Sequence, residues 1–149
     1  MFLRKALPPT YFTISIITML ILHFCIPVQY LLHYPYTLFG ILFLIAGAIL
    51  NLWSDQLFKK HKTTVKPFEN STVLITHGPF RFSRNPMYLG MIFILTGLFL
   101  LLGSLSTMLV IPIFIFGIQH NFIIAEENAL SKTFGQKFHN YKRQTRRWM

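Results

Sequence analysis

The sequence predicts an all-α membrane protein. We expect four transmembrane helices arranged as two hairpins, a polar cytoplasmic loop between them, and a C-terminal amphipathic helix at the membrane interface. Of its 149 residues, 53% are hydrophobic and 12% are charged, about half the charged fraction of a typical soluble domain. Four apolar runs are each long enough for about 24–30 Å of helix. They cover approximately residues 11–28, 36–53, 87–102 and 107–125. We therefore expect residues 1–149 to form one integral membrane domain.

The basic residues predict the topology. All fourteen Lys and Arg residues lie at the start of the chain, in residues 54–86, or in the tail from residue 126. The turns at residues 29–35 and 103–106 contain none. Basic residues are enriched in cytoplasmic loops, and four spans put all three basic segments on one side of the membrane. We expect both termini to be cytoplasmic, and the central segment and the tail to meet there.

The formal net charge of +10 does not indicate a nucleic-acid partner. The basic residues flank apolar spans and do not build a basic face on a soluble domain. The expected partner is the membrane itself, and we expect no metal site.

The residues of the first three spans predict different properties of the helices. The first is too long for the apolar core of a signal peptide and has no small-residue cleavage site after it, so we expect an uncleaved helix. The second contains Gly40 and Gly47, and the third contains Gly90 and Gly97 seven residues apart on one helical face. Small residues of this kind let helices approach closely.

The fourth span contains Pro112, where we expect a kink, and it ends at Glu126 and Glu127. Beyond it, apolar residues recur at three- and four-residue spacing, which predicts an amphipathic helix in the headgroup region. These residues are Leu130, Phe134, Phe138 and Tyr141. Residues 146–148, two arginines and a tryptophan, are favoured at the membrane interface.

A stiff loop, residues 77–88, separates the second and third spans. Pro79 and Pro86 fix the backbone and remove two donors, and Gly78 lets a ligand come close. The preceding residues 71–76 are β-branched and extended in character. A loop with a rigid backbone that ends where an apolar helix begins is typical of a binding site at a membrane surface.

The adjacent acids Glu126 and Glu127 are two of only four carboxylates in the chain. Charge is expensive to bury at a membrane boundary, so acids there indicate a functional site. The alternative is that they pair with Arg81, Arg84 or lysines of the tail and so fasten the tail to the loop.

Two motifs resemble those of a known family. Residues 78–90 read Gly-Pro-Phe-Arg-Phe-Ser-Arg-Asn-Pro-Met-Tyr-Leu-Gly. They resemble the G-P-Y-R-x-x-R-H-P-x-Y-x-G signature of the isoprenylcysteine carboxyl methyltransferase family, which is related to the membrane phospholipid N-methyltransferases. The tail resembles that family's E-E-x-x-L…F-G…Y…Y…R-W pattern, with the Glu pair first and Arg147-Trp148 last. The resemblance covers about residues 70–149.

The resemblance implies a membrane methyltransferase that binds S-adenosylmethionine at its cytoplasmic face, through a cofactor loop at about residues 71–88. The positions implied to bind the cofactor are Thr72, Val73, Leu74, Ile75, Gly78, Phe80, Asn85, Pro86, Met87, Tyr88 and Glu126. The catalytic candidates are Glu127, His120 and Tyr88, and His77 is a further candidate base for an amine acceptor. Methyl transfer from a sulfonium needs positioning and exclusion of water more than acid–base chemistry.

Three positions depart from the family pattern. Phe80 replaces a tyrosine, and Asn85 replaces a histidine, so it can form hydrogen bonds but cannot become a cation. Phe122 stands where the eukaryotic enzymes have an arginine assigned to the prenylcysteine substrate. We therefore expect another lipophilic or membrane-borne small molecule, or a lipid, as acceptor, with methylation of a carboxylate or an amine. The alternative is a non-catalytic membrane scaffold or binding protein that retains the fold.

Overall fold

The computed structural model describes residues 7–26, 28–61 and 73–149. Within these ranges the backbone is helical apart from turns and short extended segments, and strand-like pairing is limited to an isolated bridge between Tyr30 and Ser104. Among the described residues, three helices are long and apolar enough to cross a membrane, and a fourth apolar helix is shorter. The all-α prediction is therefore confirmed for the described part of the chain, which is built as an integral membrane protein.

Seven α-helices follow one another in the part of the chain that the structure describes. They are α1 (Pro8–Cys25), α2 (Phe39–Lys60), α3 (Pro86–Leu102), α4 (Leu105–Met108), α5 (Val110–Ile118), α6 (Ile124–Phe134) and α7 (Gln136–Gln144). Short 3-10 turns occupy Tyr36–Leu38 and Gly78–Arg81, and a π-helical turn, Gln119–Ile123, joins α5 to α6.

The helices depart from the predicted spans at their ends. α2 continues to Lys60, well beyond the predicted end at residue 53, and an ion pair of 2.6 Å links Asp55 to Lys59 one turn later. The fourth apolar run continues through the Glu pair as a helical stretch, Leu105–Phe134. α3 has 17 residues, or about 26 Å. The four-span arrangement therefore remains a prediction.

α2 and α3 pack antiparallel with their backbones in contact. A Cβ atom at Gly47 would lie 2.6 Å from the carbonyl oxygen of Gly90, and one at Gly97 would lie 2.6 Å from that of Gly40. Both distances are shorter than any side chain tolerates. The small residues that the sequence places on these two helices therefore set the distance between them.

The main core lies between α1, α3 and the helices that follow residue 104. Met19, Leu95, Ile118 and Ile123 are fully buried there. The α-helix is interrupted at Leu109, between α4 and α5 and three residues before Pro112, and the kink at Pro112 stays a prediction. Proline has no N–H to bond the preceding turn and crowds its carbonyl groups.

The two turns without basic residues lie together at one end of the bundle. The N–H of Leu31 donates to the carbonyl oxygen of Gly103 at 2.8 Å, and the N–H of Leu105 donates to that of Gln29 at 2.9 Å. Gly103 ends α3 with a φ of 65°, a conformation that glycine adopts without strain. The loop between α2 and α3 and the C-terminal tail are consequently both at the opposite end.

The α2–α3 contact predicts opposite effects for two Gly→Ala substitutions. Gly47→Ala should lower the thermal unfolding midpoint in detergent, because overpacking costs about 1–3 kcal/mol, against about 1 kcal/mol gained from helix propensity. Gly117→Ala is the matched control, since the nearest atoms, in the ring of Tyr11, would be 3.7 Å from the new Cβ. It should unfold at the same or a higher temperature. Equal midpoints for the two variants would contradict the backbone contact.

Candidate functional site

The C-terminal tail closes over the loop between α2 and α3. The hydroxyl of Tyr141 donates to the carbonyl oxygen of Phe80 at 2.6 Å, and the N–H of Arg84 donates to that of Arg146 at 3.0 Å. Phe138 and Tyr141 are 2% and 7% exposed. The apolar face of α7, predicted to lie in the headgroup region, is thus covered by the protein. Burial raises the pKa of Tyr141, and the nearby charge of Arg84 opposes that rise.

Ser83 and Asn85 connect the loop to the end of the chain. The Ser83 hydroxyl and the Asn85 side-chain amide both donate to the carbonyl oxygen of Arg147, at 3.1 and 3.0 Å. The same hydroxyl accepts the N–H of Asn85 at 3.1 Å. Asn85, a predicted cofactor-binding residue, therefore also holds the tail in place.

Glu127 is the centre of an ion cluster that joins the tail to the loop. Arg147 binds it in a bidentate manner, with Nε 3.0 Å from Oε1 and Nη2 2.8 Å from Oε2. Arg84 Nη2 lies 3.1 Å from Oε1, and Lys142 Nζ lies 3.7 Å from Oε2. Hydrogen bonding to Glu127 raises the pKa of Arg147. These contacts agree with the alternative given above, in which Glu127 fastens the tail to the loop. A catalytic role for Glu127 stays a prediction.

Glu126 makes a different contact from its neighbour. Its Oε1 accepts a hydrogen bond of 2.5 Å from the hydroxyl of Tyr88. Tyr88 lies in the first turn of α3, which Pro86 begins, and is 8% exposed. Two predicted site residues that are 38 positions apart are thereby brought together, and the two acids of the pair have separate partners.

A cleft of about 450 Å³ lies between the segment before the loop and the junction of α6 and α7. It is lined by Val73, Leu74, Thr76, Phe134 and Lys137. Two predicted cofactor-binding residues, Val73 and Leu74, thus line a cavity. Thr72 lies outside the described residues.

Ile75 and Phe80 are buried against α2. They are 5% and 7% exposed and pack with Leu57 of α2, and the Phe80 ring meets that of Phe58 edge-on at 5.2 Å. Gly78 has a φ of 62°, and a Cβ there would lie 2.8 Å from Leu57. The positive φ therefore favours glycine at this position.

His120, Phe122 and Met87, to which the sequence also points, lie in different environments. His120 is exposed on the π-helical turn, where its ring lies 4.1 Å from that of Phe116. Phe122 is 2% exposed and meets the ring of Tyr11 at 5.3 Å. Met87 is half-buried at the start of α3. π-Helical turns are rare and occur frequently at functional sites.

Three contributors to this site could not be recognised as such from the sequence. Ser83, Tyr141 and Arg147 hold the loop and tail together, although Arg147 was expected at the membrane interface. Trp148 likewise points inward, with its indole N–H 3.4 Å from Oε1 of Gln119. The available signal was that Tyr141 and Arg147 match the tail pattern. Their partners, however, lie 20 or more residues away in the chain.

The ion cluster predicts that Glu127→Gln is strongly destabilising. Removing one partner of a buried ion pair costs about 3–5 kcal/mol, and Arg84 would be left with a neutral partner. Asp55→Asn removes the ion pair with exposed Lys59 and should cost less than about 1 kcal/mol. Thermal unfolding in detergent measures both effects. A Glu127→Gln variant as stable as Asp55→Asn would contradict a structural role of the cluster.

Much of the candidate site lies within a match to a known protein family. The model of the phospholipid methyltransferase family matches residues 36–137, which is more than half of the chain. The matched range contains α2, the loop, α3 and the Glu pair, and it confirms the resemblance seen in the motifs. No curated protein and no solved structure matches the chain. The chain belongs to the phospholipid methyltransferase family.

Proposed function

We propose that the protein is an S-adenosylmethionine-dependent methyltransferase that acts within the membrane on a lipophilic or membrane-borne small acceptor. The observation that carries the proposal is the contact between Tyr88 and Glu126, within the range matched by the family. We further propose that this end of the bundle faces the cytoplasm, because the basic residues lie there.

The residues present fit the chemistry of the cofactor. A cleft of about 450 Å³ is within the usual range for small ligands, about 300–1,000 Å³. Val73, Leu74 and Phe134 offer an apolar surface for an adenine ring. Glu126 offers a carboxylate, which accepts hydrogen bonds from ribose hydroxyls or an amine. Two turns of α6, about 12 Å, separate Phe134 from Glu126, so an extended nucleoside that carries an amino acid suits this arrangement.

The chain contributes positioning and exclusion of water. When bound, the cofactor supplies an electrophilic methyl group on a sulfonium. Tyr88 orients Glu126 through its hydroxyl, and the tail covers the loop so that bound groups keep a fixed geometry. Such positioning supplies much of the rate enhancement in a displacement reaction.

The candidate general bases differ in whether other groups already occupy the atoms that would accept a proton. Both oxygens of Glu127 are bound by cations, so we propose that it anchors the tail. For an amine acceptor, we propose exposed His120 as the residue that takes the proton. Phe122 supports an acceptor other than prenylcysteine, because a buried phenyl ring cannot pair with a carboxylate.

Cofactor binding is expected to depend on the Tyr88–Glu126 contact. Glu126→Ala should weaken binding of S-adenosylmethionine by about 10–100-fold, since a hydrogen bond to a charged group is worth about 1.5–3 kcal/mol. Tyr88→Phe should weaken it less, because the carboxylate remains. Calorimetric titration in detergent gives the dissociation constants, with Lys132→Ala, an exposed residue of α6, as the control. No binding to the wild-type protein would refute the proposal.

Methyl transfer can be followed with an isotope-labelled methyl donor and a lipid extract. We expect the label to enter the lipid fraction with the wild-type protein and to fall at least tenfold with Glu126→Ala. Treatment with mild base then distinguishes the acceptors, because a methyl ester hydrolyses and an N-methyl group does not. Tight cofactor binding without any transfer would favour the non-catalytic alternative.

A further inference from the structure

Arg84 carries hydrogen-bond donors that its protein contacts leave unused. Its side chain is 8% exposed, and its Nη2 lies 3.1 Å from Oε1 of Glu127. Among the described residues, neither its Nε nor its Nη1 has an acceptor. Leaving a buried donor unpaired costs about 1–3 kcal/mol, and more when it is charged. Two unpaired nitrogens on one buried guanidinium therefore point to a ligand.

The charge around Arg84 is also unbalanced. Three cations, Arg84, Lys142 and Arg147, surround the single carboxylate of Glu127. The neighbouring Glu126 is bound by an uncharged partner, Tyr88. A bound anion would offset the surplus positive charge.

Arg84 is held rigidly at the loop. Its N–H donates to the carbonyl oxygen of Arg146, and Glu127 binds one of its terminal nitrogens. It directly precedes Asn85, a predicted cofactor-binding position. An arginine held at its backbone N–H and at one terminal nitrogen loses little further freedom on binding, which favours the formation of charge-assisted hydrogen bonds.

We propose that Arg84 binds an oxyanion of an active-site ligand through its Nε and Nη1 groups, while Glu127 holds Nη2. This inference rests on the proposed methyltransferase function. Two ligands can supply the oxyanion: the amino-acid carboxylate of the cofactor or the phosphate of a lipid acceptor. In either case Glu127 is a positioning residue, which gives the second acid of the pair a role without proton transfer.

The test compares ligands with and without an oxyanion. S-adenosylhomocysteine and 5′-methylthioadenosine share the adenosine, but only the first carries an amino-acid carboxylate. Arg84→Lys keeps a cation beside Glu127 and removes the planar set of donors. If the cofactor supplies the anion, this variant binds S-adenosylhomocysteine about 10–100-fold more weakly and 5′-methylthioadenosine unchanged, by calorimetry in detergent.

A second titration examines the acceptor as the source. Glycerol 3-phosphate, a soluble phosphate monoester, is added to the protein saturated with S-adenosylhomocysteine. If the acceptor supplies the anion, the wild type binds glycerol 3-phosphate and Arg84→Lys does not. Each of the two nucleosides then binds the variant with the same affinity as it binds the wild type.

Two comparisons separate binding from structural effects. Arg147→Lys disturbs the ion cluster and keeps the donors of Arg84, so it should change the affinities for the two nucleosides by the same factor. If Arg84→Lys fails to fold, the wild-type protein is titrated with decarboxylated S-adenosylhomocysteine and with glycerol 3-phosphate. Equal affinities for the decarboxylated and the intact nucleoside, together with no binding of glycerol 3-phosphate, would overturn the inference.

The outcomes are distinguishable. A folded Arg84→Lys variant that binds all three ligands as the wild type does would overturn this inference and leave the methyltransferase proposal standing. A wild-type protein that binds none of the three would overturn both.

Discussion

The ion cluster around Glu127 is the constraint on which the candidate site depends. It joins α6 to the loop through Arg84 and to the end of the chain through Arg147. The Glu127 carboxylate and the Arg84 side chain are both nearly buried, so the loss of either partner is costly. The cluster thereby fixes the tail over the loop. The neighbouring Glu126 takes no part in it and accepts a hydrogen bond from the hydroxyl of Tyr88. One pair of adjacent acids thus serves two purposes.

The cluster can form only because the helical frame brings its parts to the same end. Backbone contact between α2 and α3 sets the position of the loop that joins them, and the glycines on both helices permit that contact. At the opposite end, the turns at Leu31 and Gly103 bond to each other and keep α1 beside the helices that follow α3. The loop and tail are therefore held against one another by elements far from the site.

The departures from the family pattern have structural explanations here. Asn85 uses its amide to hold the carbonyl group of Arg147, a contact that does not need a cation. Phe80 packs its ring against Phe58 and contributes only its carbonyl oxygen to the tail contact. Phe122 fills the core beside Tyr11. Each of these three residues therefore has a structural role in the fold.

Much of the fold could be predicted from the sequence because it follows from local patterns. Apolar runs predict membrane helices, and glycines spaced along them indicate close packing. Two motifs in order identify the family. Helix ends were predicted less well: α2 and the fourth run continue into polar residues, since a helix can extend beyond the apolar stretch when ion pairs such as Asp55–Lys59 stabilise it.

The sequence by itself determined the class of protein and the three segments that carry its basic residues, and it predicted the approximate position of the candidate site. Only the tertiary structure decided that Glu126 meets Tyr88, that Glu127 meets Arg84 and Arg147, and that the apolar side of α7 covers the loop. The physical reason is that these contacts join residues 20 to 64 positions apart. Local periodicity carries no information on which of several cations will reach a given carboxylate, because that depends on how the helices pack.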